Sequence, residues 1–150
     1  MNIKKHSEPD SLERYSFWWS EARLVIAAIA LFIGGVPVLW VILPVPALYG
    51  FVRFILSLSW LISGLASGYM LYRWMSGGKK LFGKKDSLDT TVFFVSVVSG
   101  INLGIAGLLG INIGMAISST YAVFFLVALV YLASAYHLLR RWRESGSRIF

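Results

Sequence analysis

The chain contains no cysteine and only 2 histidines, and charged residues make up just 14% of it. Without cysteine there can be no disulfide bond, no thiol nucleophile and no thiolate metal site. An enzyme needs a nucleophile with its base, paired carboxylates or convergent metal ligands, and His6 and His137 leave little from which to build one. We therefore expect no enzymatic activity, no metal and no cofactor.

Apolar residues, by contrast, make up 57% of the 150 residues, far more than one soluble core of this length could bury. A bilayer core about 30 Å thick requires roughly 20 apolar residues in a helix. Four runs of about this length contain no Asp, Glu, Lys or Arg: residues 24–43, 54–72, 92–113 and 121–139. These runs are continuously apolar rather than alternating, which excludes a barrel. The sequence predicts an all-α polytopic membrane protein whose four transmembrane helices form two hairpins.

The four runs divide the chain into three regions. Residues 1–21 are predicted to form a cytoplasmic segment, in which residues 1–9 are disordered and a short amphipathic helix lies in the headgroup layer before the first span. Residues 22–140 form one four-helix transmembrane domain, and residues 141–150 form a cytoplasmic tail. Within the first span Pro37 removes a backbone amide, so a kink is expected there.

The cations indicate how the helices are oriented. With four spans, both termini and the middle connection share one side of the membrane. Of the 14 Lys and Arg residues, only Arg53 falls on the opposite side. Because cationic loops stay in the cytoplasm, we expect both termini to be cytoplasmic, in a bacterial-type cytoplasmic membrane.

The same cations predict what the cytoplasmic surface contacts. A cationic rim beside a membrane attracts anionic lipid headgroups. The lysine cluster in the middle connection is short and poor in aromatic residues, which does not favour nucleic acid. We therefore predict lipid contact and no nucleic-acid binding. The residues assigned to headgroup contact are Lys79, Lys80, Lys84, Lys85, Arg140 and Arg141.

The third run carries one five-residue pattern twice, at residues 100–104 and 110–114. In a continuous helix, at about 100° per residue, its small residues collect on one face. In lipid such a face lets another helix approach closely, and the second run offers a similar surface. The two faces could meet within one subunit, or each could meet another copy. The residues assigned to this packing are Gly64, Gly68, Ser96, Gly100, Gly104, Gly107 and Gly114.

Three polar residues each allow two interpretations. Asn102 lies near mid-membrane and Asn112 nearer the outer end of the third run, and an amide in hydrocarbon must find a hydrogen-bond partner or water. Either these residues make interhelical hydrogen bonds, or they line an aqueous path. Arg53 either reaches lipid phosphate or sets the charge of an outer vestibule that favours anions.

Two functions from different classes follow. In the first, the chain is a structural or accessory subunit that packs through its small-residue faces against copies of itself or another membrane protein. In the second, it is an oligomeric passive channel for small ions or solutes, lined by Asn102 and Asn112 with Arg53 at its mouth. The first is favoured because each feature has an adequate packing explanation. Coupled transport is disfavoured because no ionisable residue lies at mid-membrane in any run.

Overall fold

The computed structural model describes residues 9–150, and the predicted disordered segment, residues 1–9, lies almost entirely outside this range. The prediction of an all-helical protein is confirmed, with no β-strand in the described part of the chain. The α-helices are α1 (Pro9–Phe32), α2 (Val38–Ile42), α3 (Tyr49–Ser76), α4 (Ser87–Leu109), α5 (Ile113–Ile117) and α6 (Tyr121–Glu144), and a 3₁₀ helix (Pro46–Leu48) lies between α2 and α3.

Three helical stretches of the described chain are long and apolar enough to cross a bilayer. They are Pro46–Ser76, Ser87–Leu109 and Tyr121–Glu144. The first combines the 3₁₀ helix with α3, and the other two are α4 and α6. They correspond to the second, third and fourth apolar runs of the sequence and support a membrane location for the chain.

The first apolar run does not form one helix. α1 ends at Phe32, and Gly34 and Gly35 adopt φ angles of +89° and +82°, a left-handed conformation in which a right-handed helix cannot continue. Pro37 then precedes α2, whose five residues complete the run. The kink predicted at Pro37 is therefore a full interruption, because two glycines break the helix before the proline is reached.

The N-terminal segment also differs from the separate interfacial helix that was expected. α1 runs without a break from Pro9 to Phe32, across the boundary predicted at residue 21. The residues between these two ends include neither Gly nor Pro, so nothing stops the helix where the apolar run begins. The polar N-terminal segment and the first half of the first apolar run are therefore one helix.

The four long helices form a bundle in which neighbours run antiparallel. α3 packs along α4, α1 packs along α6, and α1 also contacts α3 and α4. Phe17 stacks on Trp142 at one end of the bundle, and Phe32 contacts Phe125 toward the other. The start of α1, the α3–α4 connection and the C-terminus therefore share one end, which we call the charged end.

The C-terminal residues are folded onto the charged end rather than forming a separate tail. Ile149 is only 2% exposed, and its backbone amide and that of Phe150 each donate to Glu13 Oε1 at 3.3 Å. Glu13 Oε2 accepts from Arg73 Nη2 at 2.8 Å, so one carboxylate joins α1, α3 and the C-terminus. The buried cluster at this end is Phe17, Met70, Leu81, Phe82, Phe93, Val97, Leu138 and Ile149.

Candidate functional site

A cavity of about 630 Å³ lies within the bundle, and every α-helix contributes to its wall. The wall is mostly apolar, with large side chains such as Leu56 and Phe124. α1 contributes Ala22, Ala27 and Ala30, whose methyl groups leave room that longer side chains would occupy. The space therefore results from an alanine-rich helix in a bundle of larger side chains.

The interruption between α1 and α2 lies against this cavity. Gly35 lines it, and a Cβ placed on Gly35 would come within 2.8 Å of Phe124 and 2.9 Å of Met115. Leu39 and Ile42 of α2 also line it. Non-helical backbone at membrane depth is tolerated where protein or a cavity surrounds it. The break therefore places Gly35 against protein, while Gly34 remains exposed.

Among residues 9–150, Arg23 is the only charged residue that lines the cavity. It is 6% exposed. Nη1 donates to Ser99 Oγ at 2.8 Å, and Nη2 donates to the Ser96 carbonyl oxygen at 2.8 Å. Nε has no hydrogen-bond partner in the described part of the chain. The buried guanidinium is therefore held against α4 by neutral acceptors, and one of its donors is unused.

Glu21 lies two residues before Arg23 and is 5% exposed, yet its carboxyl oxygens have no hydrogen-bond partner among the described residues. With Ser20 and Ser96 it lines a second cavity of about 10 Å³, close to the smallest space that holds one water. Glu21 precedes the first apolar run. Burial raises the pKa of its carboxyl group to about 8, although the nearby charge on Arg23 lowers it. Burial therefore disfavours the charged carboxylate, and no hydrogen bond joins Glu21 to Arg23.

Trp19 fixes α1 against α3 beside the cavity. Its Nε1 donates to Ser63 Oγ at 3.0 Å, and Ser63 Oγ donates to the Ser59 carbonyl oxygen at 2.7 Å. Trp19 and Ser59 both line the cavity. Trp19 is 37% exposed, and the hydrogen bond to Ser63 holds its ring as part of the wall.

The structure brings Asn102 and Asn112 together, but not on one face of one helix. α4 ends at Leu109 because Gly110 adopts a φ of +72°, so the third apolar run stops being helical before Asn112. Asn102 Nδ2 donates to Asn112 Oδ1 at 2.9 Å, and Asn102 Oδ1 accepts from the Ile113 amide at 2.9 Å. The two residues therefore belong to different elements, and the third run does not present them on one continuous helix.

The two amides instead hold the turn that connects α4 to α5. Asn112 is the N-cap of α5, and its Oδ1 accepts from the Met115 amide at 3.2 Å. Asn102 and Asn112 both line the cavity. Arg53, in contrast, is exposed in the first turns of α3 and lies outside the cavity lining.

The small-residue faces of the second and third apolar runs pack against each other within one subunit. A Cβ added to Gly64 would lie 2.7 Å from Gly104 Cα, and one on Gly100 would lie 3.0 Å from the Ser63 carbonyl oxygen. Gly107 is similarly close to the backbone of α3. At these glycines the backbone atoms of α3 and α4 therefore contact each other directly, as in close helix packing in lipid.

Three residues assigned to that packing lie elsewhere. A Cβ on Gly68 would meet nothing within 4 Å. Gly114 belongs to α5, beyond the end of α4, so it cannot share a helix face with Gly104. Ser96 Oγ accepts from Arg23 Nη2 at 3.2 Å and so contacts α1. The expected face assumed one continuous third helix, and the left-handed glycine at position 110 ends that helix early.

The cations assigned to lipid headgroups differ in their surroundings. Arg140 is exposed, and its Nε pairs with Glu144 Oε1 at 2.8 Å. Arg141 donates from Nε and Nη2 to Asp89 Oδ2 at 3.0 Å, and His137 Nε2 lies 2.7 Å from Oδ1 of the same carboxylate. Arg141 is therefore engaged within the protein. The exposed cations of the α3–α4 connection are Lys79, Lys80, Lys84 and Lys85.

No protein-family model, curated protein or solved structure matches the chain. Within residues 9–150, no group of three or more His, Cys, Asp or Glu side chains is placed to hold a metal ion. The cavity, with its apolar wall, its buried guanidinium and its pair of amides, is therefore the candidate functional site.

Sequence reasoning does not identify Arg23 as a site residue. When the Lys and Arg residues are assigned to the two sides of the membrane, Arg23 serves only to indicate how the helices are oriented. Its position directly before an alanine-rich apolar run is a signal that could have suggested a cavity. Its partners Ser96 and Ser99 are more than seventy residues away, so only the packing of α1 on α4 reveals the site.

Proposed function

We propose that this chain is an integral membrane protein that binds a lipid-soluble molecule within its transmembrane bundle. The cavity of about 630 Å³ is the observation that carries this proposal. Small-molecule sites occupy roughly 300–1,000 Å³ and combine apolar walls with a few fixed polar groups. Here the fixed polar groups are the guanidinium of Arg23 and the amides of Asn102 and Asn112.

The proposal includes four membrane crossings with both termini in the cytoplasm. Three crossings use α3, α4 and α6, and the fourth uses α1 together with α2. The contacts of Glu13 with Arg73 and with the C-terminal residues support a common side for α1, the α3–α4 connection and the C-terminus. Most Lys and Arg residues of the sequence lie in or next to these three segments, as expected for a cytoplasmic side. With this topology the cavity lies at membrane depth.

An accessory role would need a surface other than the small-residue faces. Those faces are used by α3 and α4 against each other, so they are not free to hold a copy or a partner. The outside of the bundle exposes many large apolar side chains, such as Leu65 at 75% and Leu108 at 72%. Such side chains pack against lipid acyl chains as well as against another protein, so they do not indicate a particular partner.

A passive channel is less well supported by the geometry than a binding site. Asn102 uses its amide nitrogen on Asn112 and its amide oxygen on the Ile113 amide, so both of its polar atoms are engaged. A conducting path would need such groups to replace a solute's hydration shell. Arg53 lies outside the cavity lining, which leaves it without contact to the proposed path.

The substitution Ala27→Phe tests the proposal by filling the cavity. We expect the purified protein in detergent micelles to bind a neutral fluorescent long-chain alcohol, measured by titration. Ala27 lines the cavity, so a phenyl ring should take up the alkyl chain's space and weaken binding by about tenfold or more.

Val25→Phe is the matched control, since Val25 is 40% exposed on the same helix and lies outside the cavity lining. It should bind the alcohol like the native protein. Thermal melting checks that each variant is folded, and Ala30→Phe provides a second cavity-filling variant. Equal affinity in native protein, Ala27→Phe and Ala30→Phe would show that the cavity is not the binding site.

A further inference from the structure

Arg23 is the feature of the cavity that an apolar ligand alone does not explain. Its guanidinium is held by oxygens of Ser96 and Ser99, and its Nε has no partner among residues 9–150. Burying a charge is unfavourable unless an opposite charge compensates it. Serine oxygens are neutral, so they orient the guanidinium without neutralising it.

The described part of the chain supplies no carboxylate that contacts Arg23. Glu21 makes no hydrogen bond to it, because both Glu21 carboxyl oxygens lack a partner. Asp89 is bound by two residues of α6, and Glu13 is bound by Arg73. An anionic group brought by a ligand would supply the missing opposite charge.

The cavity extends away from Arg23 as a long apolar space. From Arg23 to Leu31, which both line it, α1 rises about 12 Å. The space then continues past Gly35 to α2 and α5. A site with a cation at one position and apolar walls beyond it fits a molecule with an anionic headgroup and one unbranched alkyl chain.

We propose that the ligand is a long-chain carboxylate, a single-chain lipid whose headgroup pairs with the guanidinium of Arg23 in the cavity wall while its alkyl chain lies along α1 toward α2. This inference rests on the ligand-binding function proposed above. A carboxylate fits better than a phosphate monoester, because the single cation in the described cavity wall matches one negative charge. A phosphate would bring up to two charges and three acceptor oxygens into a mostly apolar wall.

The test compares three fluorescent ligands of equal chain length: a long-chain acid, the corresponding alcohol and the corresponding alkyl phosphate, at a pH where the acid is ionised. Native protein should bind the acid about tenfold or more tightly than the alcohol, and no less tightly than the phosphate. Arg23→Gln should lose this preference and bind the acid and the alcohol equally. Arg53→Gln removes an exposed cation outside the cavity and should behave like native protein.

Equal affinity for acid and alcohol in native protein would overturn the carboxylate assignment while leaving the ligand-binding function in place. Tighter binding of the phosphate than of the acid would overturn it in the same way. Binding of none of the three ligands would instead overturn the ligand-binding function itself. The comparison of ligands needs only native protein, so it decides the question even if Arg23→Gln does not fold.

Discussion

Glu21 and Arg23 are two residues apart on α1, so their side chains project from different sides of the helix. Arg23 lines the main cavity, and Glu21 lines the small one toward the charged end. From the sequence alone, both are charges on the cytoplasmic side of the first apolar run. Their burial cannot be predicted from that position, because it depends on how α4 and α6 pack around α1.

The unpartnered carboxyl group of Glu21 predicts a pH-dependent stability. Its ordinary pKa of 4.5 is raised to about 8 in the folded protein, chiefly by burial. Folding therefore favours the protonated form, so the contribution of Glu21 to the free energy of unfolding is fully present below pH 4.5 and is lost as the pH rises toward about 8. Glu21→Gln cannot ionise, so its thermal midpoint should exceed that of native protein by more at about pH 9 than at about pH 6.

Asp86→Asn is the control for this experiment. Asp86 is the N-cap of α4, where its Oδ1 accepts from the Asp89 amide at 2.9 Å, and that hydrogen bond lowers the pKa of Asp86. Its contribution is present above its ordinary pKa and is lost only in acid as the pH falls toward the lowered value. The difference between Asp86→Asn and native protein should therefore stay constant from about pH 6 to about pH 9. A constant difference for Glu21→Gln as well would contradict the account of Glu21.

At the scale of the helix, the sequence predicts where apolar segments lie better than where helices end. Pro37 signals a disturbance in the first run, but the left-handed conformations of Gly34 and Gly35 are not evident from the sequence, and Gly35 packs against Phe124 and Met115, which are distant in the chain. Gly110 is one of six glycines with positive φ, and its sequence surroundings resemble those of Gly100, which stays helical. Helix faces assigned at about 100° per residue are therefore correct from Gly100 to Gly107 but not beyond the end of α4 at Leu109.

Close packing of α3 on α4 predicts opposite outcomes for two glycines. Gly104→Ala should destabilise the protein by about 1–3 kcal/mol, because its new Cβ would lie 2.7 Å from Gly64 Cα and the helices would have to separate. Gly68→Ala adds a Cβ that meets nothing within 4 Å, so it should stabilise the protein by up to about 1 kcal/mol, because alanine is the better helix former. Unfolding of the purified variants by titration with a denaturing detergent measures both. Equal free energies of unfolding for the two variants would show that the backbone contact between α3 and α4 does not contribute to stability.

For the whole molecule, hydropathy predicts the membrane class, the all-helical fold and the approximate positions of three crossings. These properties follow from local composition, because each helix must be apolar enough to lie in lipid. The cavity does not follow from composition, since six α-helices contribute to its wall. It depends on small residues in α1, on the break before α2 and on the amide pair beyond α4, which only the folded chain brings together.

The account depends most on α1 and α2 forming a membrane crossing, because only then does the cavity lie at membrane depth. Since the chain has no cysteine, single cysteines can be introduced at the exposed positions Arg14, Ser87 and Ser119. Intact cells are then treated with a membrane-impermeant thiol reagent. We predict that Ser119→Cys is labelled, and that Arg14→Cys and Ser87→Cys react only after the membrane is opened. Labelling of Arg14→Cys in intact cells, with Ser87→Cys still protected, would show that α1 does not cross and would contradict the account.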